Sequence, residues 1–242
     1  MNKIFKILTD PALFKKIRKR VIGAKTFSQT GEDVIVEFLL TQNDIPGKLM
    51  WLDIGAHHPI YLSNTALFYS QGKHGINIEA NPFLIWKFYR RRKKDINLNI
   101  AIADRSATMD FYIMDDPGLS TLSAEEAHEN EKKGHKIVKT IPIQTMTVTE
   151  VIDKFCGGIF PVFLSLDAEG YDLEILKTID YEKSSPKIIC VENIPFQHKL
   201  KNYFDSMQTN ELSRFLISKN YSIIAFTLIN TIFVKDDFIE KG

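Results

Sequence analysis

Apolar runs and amphipathic stretches alternate along this chain of 242 residues, and the alternation predicts its architecture. The segment "FSQTGEDVIVEFLL" sets Val34, Ile35, Phe38 and Leu39 at helical spacing, with Ser28 or Thr30 available to cap the first turn and Pro46-Gly47 to end the helix. "LMWLDIGA" then reads as a strand, 64–71 as a short helix, "HGINIEA" as a second strand, 82–94 as a helix opened by proline, and "INLNIAIAD" as a third strand. Residues 107–145 break the rhythm. There "TMDFYIMD" alternates like an edge strand, "STLSAEEAHENEKKGHK" is a helix capped by Ser123 with acids first and lysines last, and "IVKTIPIQTMT" is another strand, so this stretch is expected to be an insertion or lid.

Regular alternation returns with a helix at 148–155, the strand "VFLSLDAE", a helix at 171–179, the strand "KIICVEN" and a helix near 211–219. Two closing strands, "YSIIAFTLI" and "TIFVKDD", are joined by so short a link at Asn230 that they must pair antiparallel. Near-continuous apolar strands separated by helices predict an α/β fold, doubly wound on a mostly parallel sheet covered on both faces. Such sheets bind ligands beyond the carboxyl ends of their strands. The polar residues that end the runs are therefore the ones to weigh: Asp53, Glu79, Asp104, Asp167, Glu169, Glu192 and Asn193.

The first of three constellations joins Asp53, the small turn Gly55-Ala56 and Glu79. A strand-end acid can accept hydrogen bonds from two ribose hydroxyls, which suggests an adenosine-containing ligand. Only Gly55 of a dinucleotide fingerprint is present, and Pro59 offers no N–H to a pyrophosphate, which disfavours a nicotinamide-dependent oxidoreductase and favours a nucleoside such as S-adenosylmethionine. The second is Asp167, Glu169 and Gly170, where paired carboxylates could serve as a base, hold a divalent cation, or simply cap the following helix. The third is Glu192-Asn193, on a strand expected beside that of Asp167. Asp167, Glu192 and Asn193 together would suit Mg²⁺ or Mn²⁺, and His198 nearby is a candidate base.

Composition narrows the classes. Thirty-one basic against 30 acidic residues give a formal charge of +1, which argues against a dedicated nucleic-acid partner. Residues 1–26 are the exception, a basic amphipathic segment set apart from a domain spanning 27–242. It reads either as a solvated helix on the domain or as peripheral contact with an anionic membrane. With no long apolar run it predicts neither a transmembrane helix nor a secretory signal, and with only Cys156 and Cys190 and no C-x-x-C spacing, a cytoplasmic protein is expected. The basic run "KFYRRRKK" is read as a solvated helix face.

Taken in order and spacing, "FSQTGED", "WLDIGAHHPIYLSNT", "GINIEANP", "NLNIAIAD", "MDFYIMD", "LSLDAEGYDLEIL" and "CVEN" resemble the FkbM family of S-adenosylmethionine-dependent methyltransferases over roughly residues 27 to 194. The resemblance implies a class I methyltransferase fold, a seven-stranded sheet whose last strand is antiparallel. It implies that Asp53 and Gly55 bind the methionine part, Glu79 the ribose hydroxyls and Ala101 with Ile102 the adenine, while Ser28 and Gln29 close over the cofactor. It also suggests O-methylation of a sugar hydroxyl on a small-molecule or glycan acceptor. Asp167 or Glu169 would then take the hydroxyl proton, or, by similarity to catechol-type methyltransferases, a cation at Asp167, Glu192 and Asn193 would acidify it. A non-catalytic, cofactor-binding subunit of a glycan-assembly complex is the reading of a different class.

Overall fold

The computed structural model describes residues 25–41, 49–193 and 203–239. Nearly all of the basic segment 1–26, and His198, lie outside the described residues. In chain order the elements are α1 (Glu32–Leu40), β1 (Trp51–Ile54), α2 (Ala66–Ser70), β2 (Ile76–Ile78), α3 (Pro82–Arg91), β3 (Ile96–Leu98), β4 (Ala101–Ile102), β5 (Thr108–Met114), a 3₁₀ turn (Pro117–Leu119) and α4 (Ala124–Lys132). They continue with β6 (Ile137–Met146), α5 (Val148–Cys156), β7 (Phe163–Leu166), α6 (Asp172–Lys177), β8 (Ile188–Glu192), α7 (Tyr203–Thr209), α8 (Glu211–Ser218), β9 (Tyr221–Phe226), β10 (Asn230–Lys235) and α9 (Asp236–Ile239). The described helices contain none long and apolar enough to cross a membrane.

Seven strands form one sheet in the order β3-β2-β1-β7-β8-β10-β9. All run parallel except β10, which is antiparallel to both of its neighbours. The central strands are buried at every position of β1 and β7, because helices cover both faces, and for that reason they read as unbroken apolar runs. Their side chains still divide with a period of two. Leu52, Ile54, Leu164, Leu166, Ile189 and Val191 pack on one face with Val151 of α5, Leu176 of α6 and Leu216 of α8. Trp51, Phe163, Ile188 and Cys190 pack on the other with Val36 and Leu40 of α1 and Phe68 of α2. Gly75 is required beneath this second layer, since a Cβ there would lie 2.3 Å from the Trp51 ring.

The third expected strand is in fact two. Residues Ile96–Leu98 pair with β2, but the Asn99 side chain then donates to the carbonyls of Glu79 (2.8 Å) and Ala80 (2.9 Å), taking the acceptors that a longer β3 would have used. The chain therefore leaves the main sheet, and Ala101–Ile102 pair with β6 in a second sheet of order β4-β6-β5. The long β5–β6 ladder, Ser123 capping α4 through the Glu126 N–H, and a small core of Ala101, Phe111, Ile113 and Ile143 give the stretch 107–145 its own structure beside the main sheet.

Candidate active site

The carboxyl ends of β1, β2 and β7 open into a cleft of about 440 Å³, lined among others by Gln29, Asp53, Glu79, Ile102, Asp167 and Glu192. One half is built on β1 and β2. Asp53 is buried, and its Oδ2 accepts from the Thr65 hydroxyl at 2.8 Å. Burial raises the Asp53 pKa, opposed by hydrogen bonds from Thr65 and Ser165 and by the charge of Arg92. Arg92 stands behind this pair. Its Nη2 donates to Thr65 Oγ1 (3.1 Å), its Nη1 to the Pro59 carbonyl (3.0 Å) and its Nε to Asp95 (2.7 Å), with the guanidinium between the rings of Trp51 and Tyr69. An ion this deeply buried costs several kcal/mol to desolvate, and only such a full set of partners offsets that.

The turn after β1 is closed rather than open to a ligand. Gly55 adopts φ 72°, and a Cβ there would fall 1.7 Å from the Asp167 carbonyl oxygen, so no other residue fits. The Gly55 and Ala56 amides both donate to the Ile78 carbonyl at 3.0 Å, and the His58 amide donates to Ala56 O at 2.6 Å. The His57 amide donates to Glu79 Oε2 at 2.8 Å, while the Asn81 amide donates to Oε1 at 2.7 Å. Glu79 is thus clamped with one donor on each oxygen, leaving each a further lone pair. Burial pushes its pKa up to about 7 against those two amides.

Ala101 and Ile102 lie on the wall of the same cleft with Phe111 and Leu122 of the 107–145 stretch, an apolar slot of the kind an aromatic base would enter. Gln29 is at its rim, exposed. Ser28 is not with it. Its hydroxyl donates to Asp33 Oδ1 (2.8 Å) and accepts from the Gly31 amide (3.1 Å), so it organises the entry to α1 instead of facing the cleft. The N-cap residue itself is Gly31, which has no side chain to offer, but the Ser28 hydroxyl accepts from the first-turn amide of Asp33 at 3.4 Å as the sequence predicts, while Thr30 does not.

The other half is built on β7 and β8. Carboxylate oxygens of Asp167, Glu169 and Glu192 lie within 4.8 Å of one another. Glu169 has φ 47°, a left-handed conformation uncommon outside glycine, and the Thr121 hydroxyl holds its carbonyl at 2.9 Å. Asp167 is open to the cleft, although protein surrounds it on its other sides. Burial and then the charges of Glu192 and Glu169 raise the Asp167 pKa well above its ordinary range. Burial and then Glu192 push Glu169 up to about 8, and burial with Asp172 and Glu126 pushes Glu192 up to about 7.

Asn193 does not join them. Its Nδ2 donates to Ser213 (3.2 Å) and Thr231 (3.0 Å), and its Oδ1 accepts from Asn210, so it fastens β8 to α8 and β10. The expected oxygen set of Asp167, Glu192 and Asn193 is therefore replaced by Asp167, Glu169 and Glu192. Sequence reasoning missed Thr65, Arg92 and Thr121. Arg92 was hidden inside a basic run, and Asp95 three residues on was the one available sign that it turns inward.

The strand order, the single antiparallel strand and a cleft beyond the strand ends define a class I methyltransferase fold. The methyltransferase FkbM domain matches residues 53–223, and the chain belongs to that family. A crystal structure of methyltransferase FkbM from Methylobacillus flagellatus KT is similar, with a TM-score of 0.45 and 12% identity over 95% of this chain. This chain spans 60% of that one. No curated protein matches the chain.

Proposed function

We propose that the chain is an S-adenosylmethionine-dependent O-methyltransferase acting on a sugar hydroxyl of a glycan or glycosylated metabolite. The observation that carries this reading is the amide arrangement around Glu79. Four successive amides, from Gly55 to His58, are bonded within the protein, and Pro59 has none, so the turn has no N–H to offer a pyrophosphate. That argues against a nicotinamide dinucleotide, while a clamped carboxylate beside an apolar slot suits an adenosine without one.

S-adenosylmethionine, when bound, supplies a methyl group made electrophilic by its sulfonium. The chain's part is to bind, orient and move a proton. Glu79 accepts from the ribose hydroxyls, Ala101 and Ile102 cover the adenine, and Asp53 with Gln29 faces the amino acid end. Three crowded carboxylates repel an anionic acceptor and favour a neutral polyol. Because they cannot all be ionised side by side, they share protons at neutral pH, and the ionised member is a stronger base than a free carboxylate. Asp167, open to the cleft, is placed to take the acceptor's proton, with Glu169 beside it. The 107–145 stretch, through Thr121 and Leu122, would close over the acceptor.

The same cluster favours a second reading of the proton step. Asp167, Glu169 and Glu192 form an all-oxygen set suited to Mg²⁺ or Mn²⁺, and such an ion would lower the pKa of a hydroxyl bound to it. Loss of activity in EDTA and its return with Mg²⁺ would establish this second reading, and full activity in EDTA would remove it. The function itself is tested by calorimetry. S-adenosylhomocysteine should bind and NADH should not, and labelled methyl should pass from S-adenosylmethionine to oligosaccharide. The reverse binding preference would overturn the proposal, and cofactor binding without transfer to any acceptor would make the chain a binding subunit.

A further inference from the structure

The outer face of α3 carries a surface that methyl transfer leaves unused. Leu84, Ile85 and Phe88 of this helix are buried, whereas Phe83, Trp86 and Tyr89 are 61%, 47% and 50% exposed. The loop after β1 adds exposed Ile60, Tyr61 and Leu62. Loop and helix adjoin, since Arg92 donates to the Pro59 carbonyl and Ala56 packs with Ile85 and Phe88. His58 shapes the loop, its Nδ1 accepting from the Ile60 (3.2 Å) and Tyr61 (2.9 Å) amides. Single exposed apolar residues are ordinary, but Phe83, Trp86 and Tyr89 recur at every third position and so form one stripe along α3, with three more exposed apolar residues on the loop that flanks the helix, and such a grouping marks an interaction site.

Charge gives the patch its sign. Lys87, Arg90, Arg91, Lys93 and Lys94 lie on or just after α3, and no acidic residue occurs from 82 to 94. None of these five cations enters an ion pair among the described residues, whereas Arg92 is turned inward to Asp95. Arg90 lies 5.4 Å from the Trp86 ring, so cations and aromatics share one face.

We propose that this face of α3, with the loop 60–62, is a docking surface for an anionic lipid bilayer. Phe83, Trp86 and Tyr89 would sit at the headgroup level, where amphipathic rings are favoured, and the five cations would meet lipid phosphates. A second copy of the chain suits the surface less well, because a two-fold contact would set the same cations against one another. Nucleic acid would find no use for Ile60 and Leu62, which offer no stacking face. Leu62 and His57 also line the cleft, so docking would bring the cleft mouth to the headgroup layer.

Tryptophan emission tests it directly, for of the chain's 2 tryptophans Trp51 is fully buried and Trp86 is exposed. With the full-length chain, vesicles of mixed phosphatidylcholine and phosphatidylglycerol should shift Trp86 emission to shorter wavelength. Brominated acyl chains should quench it, and salt should weaken both effects, while pure phosphatidylcholine does neither. Changing Lys87, Arg91 and Lys94 together to Gln should reduce partitioning on the order of 100-fold, and Phe83→Ser about 10-fold, with the N-terminal segment intact. Vesicle binding that leaves Trp86 emission unchanged would overturn the proposal, as would no binding. A lipid-independent blue shift that grows with protein concentration would overturn it in favour of self-association. The signal of the unmodified protein decides the matter even where a variant misfolds.

Discussion

The two halves of the cleft use the same functional group in opposite ways. On the β1–β2 side, Asp53 and Glu79 have raised pKa values from burial, yet their oxygens meet donors: Thr65 and Ser165 on Asp53, the His57 and Asn81 amides on Glu79. On the β7–β8 side, burial is again the first cause and neighbouring acids the next: Glu192 and Glu169 for Asp167, Glu192 and Asp172 for Glu169, and Asp172 and Glu126 for Glu192. Donors fix where a carboxylate points, whereas like charges fix only how many protons the group holds. The first half is thus built to bind with one geometry, and the second to change its charge, which is the division of labour that cofactor binding and proton transfer require.

The largest expected effect lies in the second half. Asp167→Asn should lower turnover by about 10²- to 10⁴-fold, the usual worth of a general base, while affinity for S-adenosylhomocysteine stays the same. Initial rates and calorimetry on one preparation check this, and an equal loss in both would erase the division. Next comes the support of the first half. Arg92→Met should destabilise the protein by about 3–5 kcal/mol in urea unfolding, because Asp95 is left buried without its partner and Thr65 loses the donor that orients it. Arg92→Lys should recover only part of this, since an ammonium cannot reach Asp95, Pro59 and Thr65 as a fork does. Unchanged stability would mean that the network is ornamental.

Glu79→Ala should weaken S-adenosylhomocysteine binding by about 1–3 kcal/mol through loss of a charge-assisted acceptor, with turnover at saturating cofactor near the original. A fall in turnover with affinity unchanged would place Glu79 in the wrong half. The smallest effect is on stability against pH. A carboxylate whose folded pKa is raised binds more protons folded than unfolded, so its contribution falls as pH rises from the unfolded value of 4.5 to the folded value of about 7, as for Glu192. Glu192→Gln should therefore match the original protein near pH 5 and exceed it near pH 8 by about 1 kcal/mol, allowing for solvent screening of a half-buried group. Denaturant midpoints at the two pH values check the sign.

Much of this was legible in the sequence because strands covered on both faces must be apolar throughout, so the runs around Trp51, Ile76, Phe163 and Ile188 stand out and the acids that end them fall at the cleft. What escaped depends on side chains whose partners are distant in sequence. Asn99 ends β3 by bonding to carbonyls some twenty positions earlier. Asn193 follows Glu192 directly, but it is drawn away by Ser213 and Thr231. Alternation of faces along a strand, which sends neighbours to opposite sides, was the sign that Glu192 and Asn193 would not both reach one ion. Ser28 accepts from the first-turn amide of Asp33 as its place before the helix suggests, but its donation to the Asp33 carboxylate, which turns it from the cleft, has no sign in the spacing. The helix α7 carries too little apolar periodicity in "YFDSMQT" to stand out.

Carboxyl-carbon NMR of protein labelled at glutamate, titrated with and without S-adenosylhomocysteine, puts both halves in one experiment. Glu79 should titrate at about 7 and Glu169 at about 8 in the free protein. On adding the ligand, the Glu79 resonance and its midpoint should move, because ribose hydroxyls join the two amides on its oxygens, while Glu169 keeps its raised midpoint. A ligand that shifts Glu169 and leaves Glu79 untouched, or a Glu169 that titrates as an ordinary carboxylate, would contradict the account.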